Sequence, residues 1–327
     1  MILLGHGAGG RLTRKLVEEH ILPGLNNPVL AQLEDSAVMG DIALTIDAYV
    51  VTPRFFPGGD LGRLAISGTV NDLWMVGAEP LGISAALIME EGLPLDELDR
   101  IVESMARTAR EAGVQVVAGD TKVVARGSCD GAFITTAGVG RIREGFRPSP
   151  SRVRPGDAVL LSGSVADHGI AVMSAREGIN LKGDIASDVA PLGGLVRELR
   201  RSGLDVHALR DPTRGGVAQS LIEISSTARA RILLDEVSIP IKPAVRAACE
   251  LLGLDPLYVA NEGKLLLLLP ADQAADALRV LRAEPLGESA AIVGKVLEAE
   301  PGVDLRTAVG GLRALRMHSA ELLPRIC

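Results

Sequence analysis

A stretch rich in proline and arginine at residues 146–157 (FRPSPSRVRPGD) interrupts an otherwise regular alternation of apolar strands and amphipathic helices, dividing the chain near its middle. Before the break, residues 42–51 (IALTIDAYVV) are β-branched and apolar, which predicts a strand. Residues 61–76 have helical spacing, with Leu64, Leu73 and Val76 among the apolar positions, and 81–89 predict a buried strand. Residues 95–112 form the clearest helix, with Leu98, Ile101, Val102, Met105 and Ala109 on one side and Gly113 as its stop. Two further strands are expected at 114–118 and 132–142. Beyond the break, strands are expected at 158–162, 257–260, 265–269 and near 290–297, and helices near 191–201, 216–227 and 242–252. A length of 327 residues allows two domains. The expectation is an α+β fold of two α/β-type domains, 1–150 and 151–316, followed by a short mobile tail at 317–327.

Composition excludes several function classes. Lys+Arg 34 against Asp+Glu 41 gives a net charge of −7, the wrong sign for gripping nucleic-acid phosphates. One Trp, two Tyr and four Phe offer no base-stacking platform. No apolar run approaches the roughly 18–20 residues of a membrane span, and the run at 265–269 stops at Pro270. The apolar stretch in MILLGHGAGGR is too short for a signal peptide. Cys129, Cys249 and Cys327 form no CxxC pair, so neither a disulfide framework nor a zinc knuckle is supported. A cytoplasmic protein is expected.

GHGAGG at residues 5–10 matches GxGxxG literally, and Asp35 lies near the distance at which a dinucleotide fold carries its acidic residue. The strand before it would be only residues 1–4, however, and Asn26-Asn27-Pro28 breaks the unit. The loop therefore reads either as a phosphate-covering loop or as a plain turn. There is no Walker A sequence. The aspartates are more informative. Asp35 precedes the first long strand and Asp47 lies within it. Asp72 is late in the 61–76 helix, Asp120 follows the strand QVVAG, and Asp211 opens DPTRGG. Taken singly, each is more often a cap or a solvated loop residue. Together, carboxylates from separate elements can converge on a hard cation such as Mg²⁺, which keeps part of its shell for water and phosphate oxygens.

The stretch DAYVVTPRFFPGGDLGRLAISGTVNDLWMVGAEP at residues 47–80 resembles the nucleotide-binding signature of the aminoimidazole ribonucleotide synthetase superfamily, which includes selenophosphate synthetase and thiamine-phosphate kinase. AGDTKVV (118–124), DPTRGGV (211–217), NEGKL (261–265), HGAGG (6–10) and PRIC (324–327) extend the resemblance, specifically toward the HypE family of hydrogenase maturation factors, across essentially the whole chain. Ala8 stands where the HGSGG form has Ser, which leaves no hydroxyl for a role there.

The resemblance implies an amino-terminal ATP-binding domain that forms a homodimer through its sheet. Asp47, Asp72, Asp120 and Asp211, joined by Asp35, would hold Mg²⁺ on the triphosphate of ATP. Asn71 and Thr121 would lie close to the phosphates, with Gly9 and Gly10 in the covering loop. The implied partners are the carbamoyltransferase HypF and the HypC–HypD complex, the cyanide acceptor.

Cys327 is the last residue of the sequence. By itself such a thiol is either an idle chain end or a reactive group; it is no prenylation signal, which needs three residues after the Cys. An extended chain from Met317 to Cys327 would span roughly 35 Å, and Pro324 prevents its last turn from becoming helical, so the thiol could swing between two sites. Cys129 and Cys249 are expected in the core. The resemblance makes Cys327 the carrier of an S-carbamoyl group that ATP dehydrates to a thiocyanate, the source of the cyanide ligand of nickel–iron hydrogenase.

Such a dehydration requires a poor leaving group, the amide oxygen, to depart as phosphate while the nitrogen loses its protons. Glu262 is the candidate base and Lys122 the candidate for stabilising phosphoryl charge, their plainer readings being a capping Glu and a surface Lys. His6 has weaker grounds, and His20, His168, His207 and His318 show no ligand spacing. Two rival functions remain at this point. One is a small-molecule phosphotransferase like selenophosphate synthetase or thiamine-phosphate kinase; against the former, the glycine loop holds no Cys. The other is a scaffold that carries a thiol-bound group without turning over ATP.

Overall fold

The computed structural model describes residues 1–7, 9–178, 183, 185–317 and 325–327. Ala8, His318, Pro324 and most of the expected tail lie outside the described residues. Two short helices, α1 (Arg11–Leu16) and α2 (Leu22–Leu25), lead into the first sheet. Its half of the chain contains β1 (Ala37–Met39), β2 (Ile42–Tyr49), the small hairpin β3 (Phe55–Phe56) and β4 (Gly59–Asp60), α3 (Leu61–Met75), β5 (Ala78–Glu90), α4 (Leu95–Ala112), β6 (Val116–Val124) and β7 (Ala132–Ile142). The sheet order is β1-β2-β7-β5-β6, with only the β5/β6 pair parallel.

The second half contains β8 (Asp157–Leu161), α5 (Asp167–Glu177), α6 (Gly193–Arg201), β9 (Ala208–Arg210), α7 (Gly216–Ala228), β10 (Arg231–Asp235), α8 (Pro243–Leu252), β11 (Leu266–Pro270), α9 (Ala274–Arg282), β12 (Ala291–Leu297), β13 (Gly302–Arg306) and β14 (Leu312–Leu315). Its seven strands run β14-β13-β10-β12-β8-β11-β9. Leu266 to Leu269 are all buried because β11 is flanked by β8 and β9 and covered on both faces. The architecture is the expected α+β pair of sheets with helices.

In the first half, α3 covers one face of the sheet and α4 packs on α3. Helix α4 follows the expected residues: Asp96 and Glu97 complement its amino-terminal dipole, Arg110 its carboxy-terminal end, and Gly113 at φ 72° closes it. Its buried face is Ile101, Met105, Ala109 and Ala112, whereas Val102 is exposed. The opposite face of the sheet has no covering layer among the described residues. Leu44 and Ile46 on β2, Ile88 on β5 and Val139 on β7 are exposed, and β6 is an exposed edge almost throughout.

Three expectations change. Residues 257–260 are not a strand: Asp255 caps a 3-10 turn at Pro256–Tyr258, and the buried residues after it pack without a sheet partner. The strand placed at 114–118 runs through Val124, so Asp120 lies inside it rather than after it. Cys249 is buried as expected, but Cys129 is only partly buried, on the turn between β6 and β7.

The halves are held together at α3. Asn71 Nδ2 donates to Ala190 O (3.1 Å), and its Oδ1 accepts from Leu192 N (2.8 Å). Arg63 Nε donates to Val189 O (2.8 Å). Gly193 admits the close approach of Trp74, since a Cβ there would fall 2.6 Å from Trp74 Nε1.

Candidate functional site

On β2, side chains alternate between faces, so Ala43, Thr45, Asp47 and Tyr49 share the side that faces α3. Asp72 on α3 approaches that row, and Thr45 Oγ1 donates to its Oδ2 at 2.8 Å. The same hydroxyl lies 3.0 Å from Asp35 O, and Ser36 Oγ donates to Asp72 O at 3.0 Å, fixing the loop before β1 against α3. From the other half come Arg210 at the end of β9, Asp211 immediately after it, Arg214 in the glycine turn before α7, and Glu262. These groups enclose a cavity of about 250 Å³, and Cys327 also lines it.

Asp35, Asp72 and Asp211 each present a carboxylate oxygen within 4.8 Å of the others. Their electrostatics reflect that crowding. Burial, then the charges of Asp211, Glu223 and Asp47, lift Asp35 to about 8, although Arg210 Nη1 at 2.8 Å opposes the shift. Burial and then Asp47, Asp211 and Asp35 hold Asp72 well above the usual carboxylate range. Asp211 lies at about 6, raised by burial and partly restored by Arg210. A cluster of hard oxygen donors, partly withdrawn from solvent and with surplus negative charge, suits a hard divalent cation.

Asp47 lines the same cavity and accepts from Tyr49 Oη at 3.3 Å. Glu262 is 3 % exposed, and its Oε1 has no hydrogen-bond partner among the described residues. Burial, followed by the charges of Asp211 and Asp188, keeps its proton well above the usual range, with Arg214 working against them. A buried carboxyl held near a positive charge, with an oxygen free of donors, can take or give a proton. Arg214 is itself kept firmly protonated, first by the charge at Cys327 and then by Asp47, Glu262 and Asp72.

The glycine loop meets the site at Arg214. Gly9 sits at φ 78°, where a Cβ would fall 2.9 Å from Arg214 Cβ, and Thr13 Oγ1 accepts its N–H at 2.9 Å. Gly10 is the residue before α1. Only glycine fits the left-handed, close-packed position of Gly9 without strain.

Other residues singled out from the sequence lie elsewhere in this chain. The amide of Asn71 is committed to Ala190 and Leu192. Asp120 and Thr121 border a different, larger groove of about 830 Å³ between β6 and α4, and Lys122 follows them on β6. Strand β6 is three strands from β2, about 14 Å away at standard spacing. The register adds a second separation: Asp120 pairs with Ala86, which pairs with Thr135 and thence with Ala48, whereas Asp47 pairs with Thr136 and Ala85. Cross-strand partners share a face, so Asp120 and Lys122 stand on the uncovered side of the sheet. There Lys122 Nζ lies 2.7 Å from Asp120, whose pKa it lowers.

Sequence reasoning passed over Arg210, Arg214, Tyr49 and His168. The two arginines flank Asp211 in a segment already marked by its glycines, and Tyr49 follows Asp47 at the two-residue period of a strand. For His168 no local signal existed.

Residues 33–142 match the family model for the AIR synthase related protein, N-terminal domain, and residues 154–305 that for its C-terminal domain. Over 330 residues the chain is 49% identical to carbamoyl dehydratase HypE of Cupriavidus necator, covering 99% of this chain and 94% of that protein. It is similar to a solved structure of hydrogenase maturation protein HypE in complex with ATP (TM-score 0.85, 48% identity, 100% of both chains). It is also similar to a chain of a solved HypE–HypF complex (TM-score 0.90, 46% identity, 93% of this chain and 99% of that one).

Proposed function

The chain belongs to the HypE family of carbamoyl dehydratases within the AIR synthase related proteins, and on that premise we propose which of its residues carry out the reaction. The enzyme converts an S-carbamoyl group to a thiocyanate at the expense of ATP, in the maturation of hydrogenase. The observation that carries the assignment of Cys327 as carrier is its position in one cavity with three convergent carboxylates and the buried Glu262.

The carbamoyl oxygen attacks the γ-phosphorus of ATP, ADP leaves, and one proton departs from nitrogen. The carbon–oxygen bond then breaks, phosphate departs with the oxygen, and loss of the second N–H proton completes the nitrile. Glu262 is placed to receive a proton from nitrogen, and Arg214 to balance negative charge beside the sulfur. Asp35, Asp72 and Asp211, with Asp47 beside them, would hold Mg²⁺. When bound, that ion supplies charge neutralisation on the phosphates. The Gly9–Gly10 loop would close over the nucleotide.

Asp120, Thr121 and Lys122 serve the reaction from a second copy. Their strand is an exposed edge, and the sheet face that carries Asp120 and Lys122 also exposes Leu44, Ile46, Ile88 and Val139. A homodimer built on that face would cover these apolar residues and could bring the charged pair to the partner's nucleotide. HypF is the proposed donor of the carbamoyl group and HypC–HypD the proposed acceptor of cyanide. No helix among the described residues is long and apolar enough to cross a membrane, and the proposed compartment is the cytoplasm.

Intact-mass spectrometry tests this reading after incubation with the carbamoyltransferase, carbamoyl phosphate and Mg-ATP. A carbamoyl adduct on Cys327 that loses one water only with hydrolysable ATP is expected. An active carbamoyltransferase that leaves Cys327 unmodified would remove the carrier assignment.

A further inference from the structure

Groups outside the cavity lining also hold the chain end that carries Cys327. Val50 N–H donates to Cys327 O and Thr52 N–H to Arg325 O, both at 3.2 Å, so the last residues lie antiparallel beside the chain leaving β2. Arg325 is tied there by its side chain as well, with Nε on Val50 O (3.1 Å) and Nη2 on Asp130 (2.6 Å). The Arg325 and Cys327 carbonyls both accept from that chain, whereas the Ile326 carbonyl between them does not. The Ile326 carbonyl therefore faces away from β2 and into the protein, where the Ile326 side chain is buried in the main core. A carbonyl desolvated there without a donor would be costly. Its donor is His168 Nε2, at 2.8 Å.

His168 lies in the first turn of α5 and is fully buried, with its ring edge-on to Phe56 (centroids 5.4 Å apart, planes at 87°). Its Nδ1 lies 2.8 Å from Ser187 Oγ, and that hydroxyl oxygen already accepts Val189 N–H at 3.1 Å. The hydroxyl proton is thus directed at Nδ1. A carbonyl can only accept, so the tautomer with its proton on Nε2 satisfies the whole chain Val189–Ser187–His168–Ile326. Burial also lowers the pKa of His168, which keeps Nδ1 an acceptor.

We infer that His168, oriented by Ser187 and Phe56, is a positioning residue that sets the docked state of the carboxy terminus: its Nε2–H on the Ile326 carbonyl fixes the register that puts Cys327 beside Arg214 and Glu262. This rests on the dehydratase reading and adds the residue that governs delivery. It has a consequence that simple structural support lacks. Dehydration needs the docked tail, whereas carbamoylation by a separate protein needs the thiol outside, so weakening the latch moves the two half-reactions in opposite directions.

The test compares full-length wild type, His168→Leu and His168→Gln, whose amide N–H can still donate. Alkylation of Cys327 by iodoacetamide without ATP, followed on the carboxy-terminal peptide, should be about fivefold faster in His168→Leu, the size expected for one lost hydrogen bond. Alkylation of buried Cys249 should not change, which separates undocking from unfolding. His168→Gln should recover most of the protection. Single-turnover dehydration of the carbamoylated His168→Leu protein should slow by a similar factor with an unchanged dependence on ATP concentration, while transfer of the carbamoyl group onto it is faster. Ser187→Ala should move each quantity the same way by less, and decides the matter if His168→Leu does not fold. Equal Cys327 alkylation in wild type and the folded variant overturns the latch. Failure of carbamoylated wild type to lose water would instead remove the dehydratase reading, with the alkylation rates still deciding docking.

Discussion

Arg210 Nη1 lies 2.8 Å from Asp35 Oδ1, joining the edge strand of the second sheet to the loop that precedes the first. The same guanidinium lies 2.8 Å from Glu223, so its charge is shared between two carboxylates. Asp47 and Glu262 are then left with Arg214 as a nearby counter-charge, while Asp211 still draws on Arg210. That surplus is the physical basis for several expectations.

Asp35 at about 8 and Asp211 at about 6 are both raised above ordinary aspartate values, so the metal-free folded chain binds more protons than the unfolded chain between about pH 4 and 8. Its stability should fall as pH rises through that window. Mg²⁺ must displace those protons, so it should raise the thermal midpoint more at pH 8 than at pH 6. Melting curves at the two pH values with and without Mg²⁺ check this; an equal rise at both would argue against these carboxylates as ligands.

Asp72→Asn removes one of the three convergent carboxylates while keeping an oxygen that can accept from Thr45. ATP hydrolysis should fall by about 100-fold or more. Metal-free stability at pH 8 should hold or rise, because a buried repulsion is gone. Phosphate release and a thermal melt on the same sample measure both, and unchanged turnover would sink the assignment.

Glu262→Gln should resemble the protonated carboxyl already favoured by burial, leaving fold and nucleotide binding intact. Dehydration of the carbamoylated chain should slow by roughly 10²- to 10⁴-fold, the usual scale for losing a general base. A single-turnover rate within a few-fold of wild type would assign the proton transfer to another group.

Cys327→Ser exchanges the sulfur for a hydroxyl in the same backbone register. ATP binding should stay within about twofold of wild type, while thiocyanate formation disappears. Calorimetry and mass spectrometry report the two quantities separately; product from the serine variant would contradict the carrier role.

A mixed dimer separates the two places at which acidic groups occur. If Asp120 and Lys122 act on the partner's nucleotide, an Asp72→Asn subunit paired with a Lys122→Ala subunit retains one site with both residues intact. Co-refolding the two inactive variants should then recover about a quarter of wild-type turnover per subunit, for random pairing and independent sites. No recovery in a verified mixed dimer would return Lys122 to its own chain's site or to the surface.

The sequence alone determined the broad plan of this protein. Strand and helix periods marked most elements, and glycine- and aspartate-bearing motifs named the family. These are local properties, fixed by side-chain spacing and by turns that only certain residues permit. Tertiary structure decided what those residues are near. Asp47 and Asp120 read alike in the sequence, yet sheet register puts them on opposite faces three strands apart. Asn71 and Asp72 are neighbours, yet one ties the halves together and the other enters the cavity, because adjacent helical positions point about 100° apart. His168 gave no signal at all, since its partner is Ile326, 158 residues later. A carbonyl without a donor exists only once the chain has folded over it, and burial is what makes that bond matter.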